Sequence, residues 1–262
     1  MLAKDRIIVA LDDTSTIQAA ISLGREIGTH VWGFKVGLEL IHSEMGGYKA
    51  ASAIQAWAGN NILYDCKLHD IPQQVADTVS RLIPLQLKMF TVHCSGGVKM
   101  MQAAQNTATQ ESKAKNLPKP LVLGVTILTS LDFRALTELG FDNFMRSDFP
   151  MTFTEQAKDE YREKVVQRIV VNLAKLAKEA GLDGVICSPH EAKSVREVWP
   201  KAVIVTPGIR AAHAPADDQK RTATAREAIE AGADYLVIGR PITQAPDPIV
   251  AVEKIALEIE ES

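Results

Sequence analysis

No stretch of this chain reaches the ~18 consecutive apolar residues expected of a membrane-spanning helix. That argues against a membrane partner. The start, Met1-Leu-Ala-Lys-Asp-Arg, runs straight into a strand-like segment and has no apolar signal region, so no secretory leader is expected. Basic residues are not in excess. Lys and Arg number 29 against 32 Asp and Glu, a net charge of −3, which provides no electrostatic field for nucleic acid. Cysteine is sparse. Cys66, Cys94 and Cys187 lie far apart, with no CxxC and no Cys/His metal spacing. A disulfide framework and a zinc site are thereby disfavoured, and three buried free thiols in a cytoplasmic protein are expected. No GxGxxG follows the first strand-like run, which disfavours a dinucleotide fold. Linkers, repeats and low-complexity stretches are also missing, so residues 1–262 are expected to form a single domain.

What is present is alternation. Of the 262 residues, 46% are hydrophobic and 23% charged, enough to bury a sizeable core. Short β-branched runs occur at Ile7–Leu11, Val31–Val36, Ile62–Lys67, Met89–His93, Leu121–Leu128, Gly184–Cys187, Ala202–Thr206 and Tyr235–Ile238. Helix-like patterns lie between them, among them Ile17–Ile27, Gln73–Leu82, Val98–Ala108, Tyr161–Ala180, Glu191–Val198, Thr222–Ala231 and Pro248–Glu260. Gly28, Gly46, Gly181 and Gly232 read as helix closers. Eight strand–helix units in a chain of this length predict an α/β fold, a (β/α)8 TIM barrel, with a doubly wound open sheet as runner-up. The strands are apolar on both faces, as a covered parallel sheet requires. The stretch 130–154 is long and rich in phenylalanine. It reads as an inserted short helix packed on the barrel rather than a mobile lid.

In such a barrel the active site forms where the strands end. Residues 65–72, Asp-Cys-Lys-Leu-His-Asp-Ile-Pro, follow the apolar run Asn61-Ile-Leu-Tyr. Strand alternation puts Asp65 and Lys67 on one face and Cys66 on the other, with Asp70 at the strand's end. Taken alone, this set could be a salt bridge closing a strand. Asp12 ends the first strand, however, Lys35 sits inside the apolar second strand, and Arg210 and Arg240 end the seventh and eighth. Five strand ends carrying formal charge point to a site for a polyanionic substrate. Gly208 and Gly239 allow close backbone approach to an anion, and Arg240 can grip phosphate oxygens with its planar fork. His93 reads as a hydrogen-bonded structural histidine. His69, inside the motif, reads as pointing away from the neighbours of Asp70, and His213 as a solvated loop residue.

Several segments taken together resemble the orotidine 5′-phosphate decarboxylase family. They are Ala10-Leu-Asp12, Phe34-Lys-Val-Gly-Leu-Glu-Leu40, Asp65-Cys-Lys-Leu-His-Asp-Ile-Pro72, Val92-His-Cys-Ser-Gly-Gly97, Val125-Thr-Ile-Leu-Thr-Ser130, Thr206-Pro-Gly-Ile-Arg210, Asp218-Gln-Lys-Arg221 and Ile238-Gly-Arg240. The resemblance spans nearly the whole chain. It implies decarboxylation of orotidine 5′-phosphate to UMP in pyrimidine biosynthesis, without metal or other cofactor, by a homodimer with shared sites. Asp12 and Lys35 would then bind ribose hydroxyls, with Lys35 also joining the charge network. Asp65 would face the substrate carboxylate, Lys67 would donate the proton, and Asp70 would reach into the partner's site. Thr129 would contact the pyrimidine. Arg210, Gln219 and Arg240 would bind phosphate or close a loop over it, and Ile71 and Gly239 would complete the substrate-binding set. One departure stands out: Gln73-Gln74 replaces the family's usual Asn-Thr, so that Gln74 would substitute for a ribose-contacting threonine. Two other classes remain open: a Mg²⁺-dependent sugar-phosphate decarboxylase or aldolase of the same superfamily, and a catalytically idle nucleotide-binding protein.

Overall fold

Parallel strands cannot be joined by tight turns, and here a helical crossover follows each of the eight. A computed structural model describes every residue except 13, 15, 45, 59, 60, 142–153, 211–220, 261 and 262. In chain order the elements are β1 (Ile7–Ala10), α1 (Ile17–Ile27), β2 (Gly33–Val36), α2 (Leu38–Ile41), α3 (Gly47–Ala58), β3 (Ile62–Leu68), α4 (Pro72–Leu82), β4 (Met89–His93), α5 (Gly97–Lys115), β5 (Leu121–Val125), α6 (Phe133–Glu138), α7 (Glu155–Glu179), β6 (Gly184–Ile186), α8 (Pro189–Val198), β7 (Val203–Thr206), α9 (Ala225–Glu230), β8 (Tyr235–Ile238), α10 (Arg240–Thr243) and α11 (Pro248–Glu260). Each strand pairs in parallel with the next, and β8 returns to β1 with Ile8 opposite Val237, closing the TIM barrel.

Side-chain alternation sorts the strands into two cores. Ile8, Ala10, Leu63, Met89, Leu123, Val205 and Val237 fill the barrel interior. Their neighbours Ile7, Val9, Ile62, Tyr64, Phe90 and Ile204 pack outward against the helices. Trp32 and Tyr235 meet with ring centroids 5.0 Å apart where β2 and β8 begin. The expected second strand is therefore two residues too long. Val31 and Trp32 precede β2, with Trp32 packed against the interior core.

Helix starts follow local chemistry. Thr16, Asp132, Thr154 and Ser188 accept backbone N–H bonds at the starts of α1, α6, α7 and α8. Thr224 and Glu227 form a reciprocal capping box on α9. Such caps are worth about 1 kcal/mol each. The glycine assignments hold in part. Gly181 and Gly232 follow α7 and α9 in the left-handed region, at φ 79° and 102°. Gly28 closes α1 as its C-cap, though right-handed at φ −58°, whereas Gly46, at φ 77°, precedes α3 instead of closing a helix. In the 130–154 stretch a short helix, α6, does form. Its Leu136 is buried, and Phe133 and Phe141 pack on the outer core. Residues 142–153 of the same stretch lie outside the described residues.

Candidate active site

The charged residues of β1, β2 and β3 converge. Asp12, just beyond β1, pairs with the Lys35 ammonium, whose Nζ also lies 3.7 Å from Asp65 Oδ2. Lys67 Nζ donates to that same Oδ2 at 2.5 Å. The result is an alternating series, Asp12–Lys35–Asp65–Lys67, across three adjacent strands. Gly37 makes room for its first member, because a Cβ there would collide with the Asp12 carboxylate. The other Asp12 oxygen, Oδ1, is buried and has no hydrogen-bond partner among the described residues.

Lys67 does not reach this position by regular alternation. The β3–β4 register shifts between Tyr64 and Leu68, where four steps along β3 pass against two along β4. Lys67 adopts φ 46°, a left-handed conformation uncommon for a side chain of this size. Thr91 on β4 supports the bulge. Its Oγ1 accepts the Lys67 backbone N–H at 2.9 Å and donates to Asp65 Oδ1 at 2.9 Å. The sequence reading missed Thr91, because a threonine in a strand carries no signal of its own. Cys66 packs toward the helices, as alternation predicts.

Electrostatics keep Asp65 ionised. Burial is the largest single influence and opposes the charge. Lys35, Lys67 and the hydrogen bonds from Lys67 and Thr91 together outweigh it, holding the carboxyl below its ordinary value. His93 moves down from its usual 6.5, first through burial, then through His69 and Lys67, with Asp65 opposing. Its expected hydrogen bond is absent among the described residues. Instead its ring meets that of His69 at 5.3 Å. The three thiols are free as expected, and burial pushes Cys66 and Cys94 up to about 12.

Beside the charged series opens a cavity of about 300 Å³. Lys35, Asp65 and Lys67 line it together with Val125, Ile127, Leu128, Thr129 and Ser130 from the end of β5 and beyond. Leu63, Ile186 and Val237 contribute from the barrel interior, and Cys187 and Pro207 from the ends of β6 and β7. Its size lies at the lower end of the range for small-molecule sites. Thr129 thus stands in the same cavity as Lys67. A second space, about 730 Å³, lies beside α7, and Asp159, Glu160, Arg162, Lys164, Glu191 and Arg221 are among the residues lining it. It contains none of the charged groups of β1 to β3.

Other expected site residues sit around the cavity without lining it. Gly208 is left-handed at φ 84°, and Arg210 Nη1 donates to the Ile209 carbonyl. Gly239 precedes α10 and Arg240 is its first residue, directly beyond β8. Asp70, Ile71 and Gln74 are exposed at the start of α4. The Asp70 carboxylate accepts the Ile71 N–H and has no ion pair among the described residues. Within one chain, then, Asp70 is not drawn into the cluster. Gln219 and His213 lie outside the described residues. No group of three or more potential metal ligands occurs among the described residues, and no helix there is long and apolar enough to cross a membrane.

A second buried ion pair went unnoticed in the sequence. Arg221 Nη1 donates to Glu191 Oε1 at 2.7 Å, and Arg221 Nη2 donates to the carbonyls of Ile127 and Leu128 at 3.3 and 3.0 Å. Burial raises the Glu191 carboxyl above its usual value even with Arg221 against it.

Comparison with known proteins adds a separate line of observation. The model of the Orotidine 5'-phosphate decarboxylase / HUMPS family matches residues 5–144 and 151–255. A Moorella thermoacetica protein named orotidine 5′-phosphate decarboxylase is 42% identical over 262 residues, covering 99% of this chain and 94% of its own. One of the same name from Pseudomonas paraeruginosa is 40% identical over 253 residues, covering 97% of each. The crystal structure of orotidine 5′-phosphate decarboxylase from Lactobacillus acidophilus superposes with a TM-score of 0.70 at 32% identity, covering 97% of this chain and 98% of that one.

Proposed function

Since the chain belongs to the orotidine 5′-phosphate decarboxylase / HUMPS family, we propose that it decarboxylates orotidine 5′-phosphate to UMP, the last step in making that pyrimidine nucleotide. The observation that carries this reading is the series Asp12–Lys35–Asp65–Lys67 on the wall of a cavity at the strand ends.

The chemistry follows from the charges. Loss of CO2 breaks the bond to C6 of the pyrimidine and leaves its electron pair on that ring carbon. The Lys67 ammonium, on the cavity wall, would oppose the developing charge. At about 4 Å and an effective dielectric of about 20, such a pair is worth about 4 kcal/mol, or roughly 10³ in rate. Lys67 then gives its proton to C6, forming UMP, and regains one from solvent. Asp65 keeps Lys67 protonated and oriented. Its negative charge near the substrate carboxylate disfavours the ground state. Asp12 Oδ1, an acceptor lacking a partner among the described residues, suits a ribose hydroxyl, and Lys35 suits the same sugar. Thr129 suits the base. Gly208, Arg210, Gln219, Gly239 and Arg240 would take the phosphate, and holding that remote group allows binding energy to be used at the reacting carbon.

The same reading includes a homodimer with shared sites. The support is local: Asp70 is unpaired among the described residues, and Ile71 beside it is 62% exposed. A second copy of the chain would cover this apolar side chain and bring Asp70, Ile71 and Gln74 to the partner's cavity.

The direct test is incubation with orotidine 5′-phosphate, with and without EDTA, following loss of the orotate absorbance and formation of UMP. Turnover unaffected by EDTA is expected. Binding of UMP without turnover would support a nucleotide-binding protein instead. Metal-dependent turnover of a sugar phosphate, with none of orotidine 5′-phosphate, would support the other enzyme class.

A further inference from the structure

Beyond β7, backbone hydrogen bonds join Gly208 and Arg210 to Ala223 in a closed neck. Arg210 N–H donates to the Ala223 carbonyl at 3.0 Å, and Ala223 N–H donates to the Gly208 carbonyl at 3.3 Å. Arg221 stands at that neck, and Thr222 is held there by a 3.0 Å contact between its carbonyl and His190 Nε2 on α8. The Arg221 side chain is only 12% exposed and its partner Glu191 only 4%. Its guanidinium is divided. One arm meets Glu191, while the other takes the Ile127 and Leu128 carbonyls, whose side chains line the cavity next to Thr129. Arg221 Nε and Glu191 Oε2 are buried without hydrogen-bond partners among the described residues. The carboxylate is therefore gripped through one N–H and not two, which leaves the second arm for the carbonyls. A lysine could not make this arrangement, because its ammonium is a single point of charge without a fork.

We propose that Arg221 is a positioning residue for the wall of the site that faces the base: anchored on Glu191, it fixes the Ile127–Leu128 backbone and so the place of Leu128 and Thr129. The inference rests on the functional reading above and deepens it. It joins the neck at Gly208, Arg210 and Ala223 to the wall beyond β5, through contacts between residues more than 90 positions apart in sequence. Because the carbonyls it holds belong to the wall that faces the base, Arg221 should act on base recognition and leave phosphate recognition alone.

The test compares two ligands, UMP and ribose 5-phosphate, by titration calorimetry. Arg221→Ala should weaken UMP about tenfold or more while ribose 5-phosphate stays within about twofold, because only UMP carries the base. KM for orotidine 5′-phosphate should rise in parallel. Guanidinium ion in solution should restore part of the UMP affinity to Arg221→Ala and none to the wild type. Arg221→Lys should fall between the two. The double variant Glu191→Ala with Arg221→Ala removes both buried charges, and it keeps the test open if the single variant does not fold. Unchanged UMP affinity in a folded variant would overturn the inference, as would equal losses for both ligands. Failure of the wild type to bind UMP would instead overturn the functional reading, and this inference with it.

Discussion

Replacing Thr91 with valine isolates one oxygen atom. Threonine and valine have nearly the same shape, and Thr91 is fully buried, so the packing of β4 changes little. What disappears is a hydroxyl engaged twice, as donor to Asp65 Oδ1 and as acceptor of the Lys67 backbone N–H, each at 2.9 Å. A hydrogen bond to a charged group is worth about 1.5–3 kcal/mol, and a buried donor left without a partner costs about 1–3 kcal/mol. The two losses share an atom and do not simply add, so we expect destabilisation of about 2–4 kcal/mol. For a chain of this size that is a fall in Tm of about 5–15 °C. The catalytic effect should be larger than stability alone implies, because Lys67 holds a left-handed conformation that the Thr91 bond helps to maintain. Thermal unfolding and kcat, measured together on Thr91→Val and Thr91→Ser, separate the causes. Serine keeps the hydroxyl and should retain most of the activity. A valine variant with Tm and kcat close to wild type would refute the reasoning. So would a serine variant as damaged as the valine one, since the missing methyl would then govern.

Lys67→Ala should retain less than about a tenth of wild-type kcat, given the 10²–10⁴ typical of a lost general acid, and Asp70→Ala should also lose most of its activity because a charge is removed from the partner's site. Mixed under exchanging conditions they should recover roughly a quarter of wild-type activity, from heterodimers with one intact site. No recovery despite verified exchange would mean that Asp70 serves its own chain. Arg240→Ala should weaken UMP by about 2–5 kcal/mol while leaving uridine little changed, and equal losses would remove it from the phosphate site. The pH dependence of stability has a definite sign. The His93 pKa is depressed in the folded protein, so its contribution is complete above its ordinary 6.5 and shrinks as pH falls below that value. His93→Asn should therefore flatten the decline of Tm as pH falls below 6.5, and an unchanged slope would assign that decline to other groups. Asp65 behaves likewise lower down, with its contribution present above its ordinary 3.8 and lost as pH falls through its folded value.

The barrel and most of its charged rim were legible in the sequence for one reason: they appear as residue types that do not belong where they stand. Lysine within Phe34-Lys35-Val36 and aspartate after Tyr64 are costly in a buried strand unless they pair, so each marks a site. The alternation of apolar runs with helical patterns likewise depends on neighbours in sequence, and α1 and α11 begin and end where the periodicity predicts. Thr91 and Arg221 give no such mark. Threonine is an ordinary strand residue and arginine an ordinary loop residue, and what distinguishes them is contact with groups 24 to 94 positions away. The bulge that turns Lys67 inward is of the same kind. It is a mismatch between β3 and β4, and neither strand contains it alone. Lys67 could be identified from its type, while the conformation that aims it could not. The chemical groups of the site are thus local and readable, whereas their orientation is set across strands by residues of unremarkable type. Substitutions at Thr91 and Arg221 test that division directly, because they leave every charged member of the series Asp12–Lys35–Asp65–Lys67 in place.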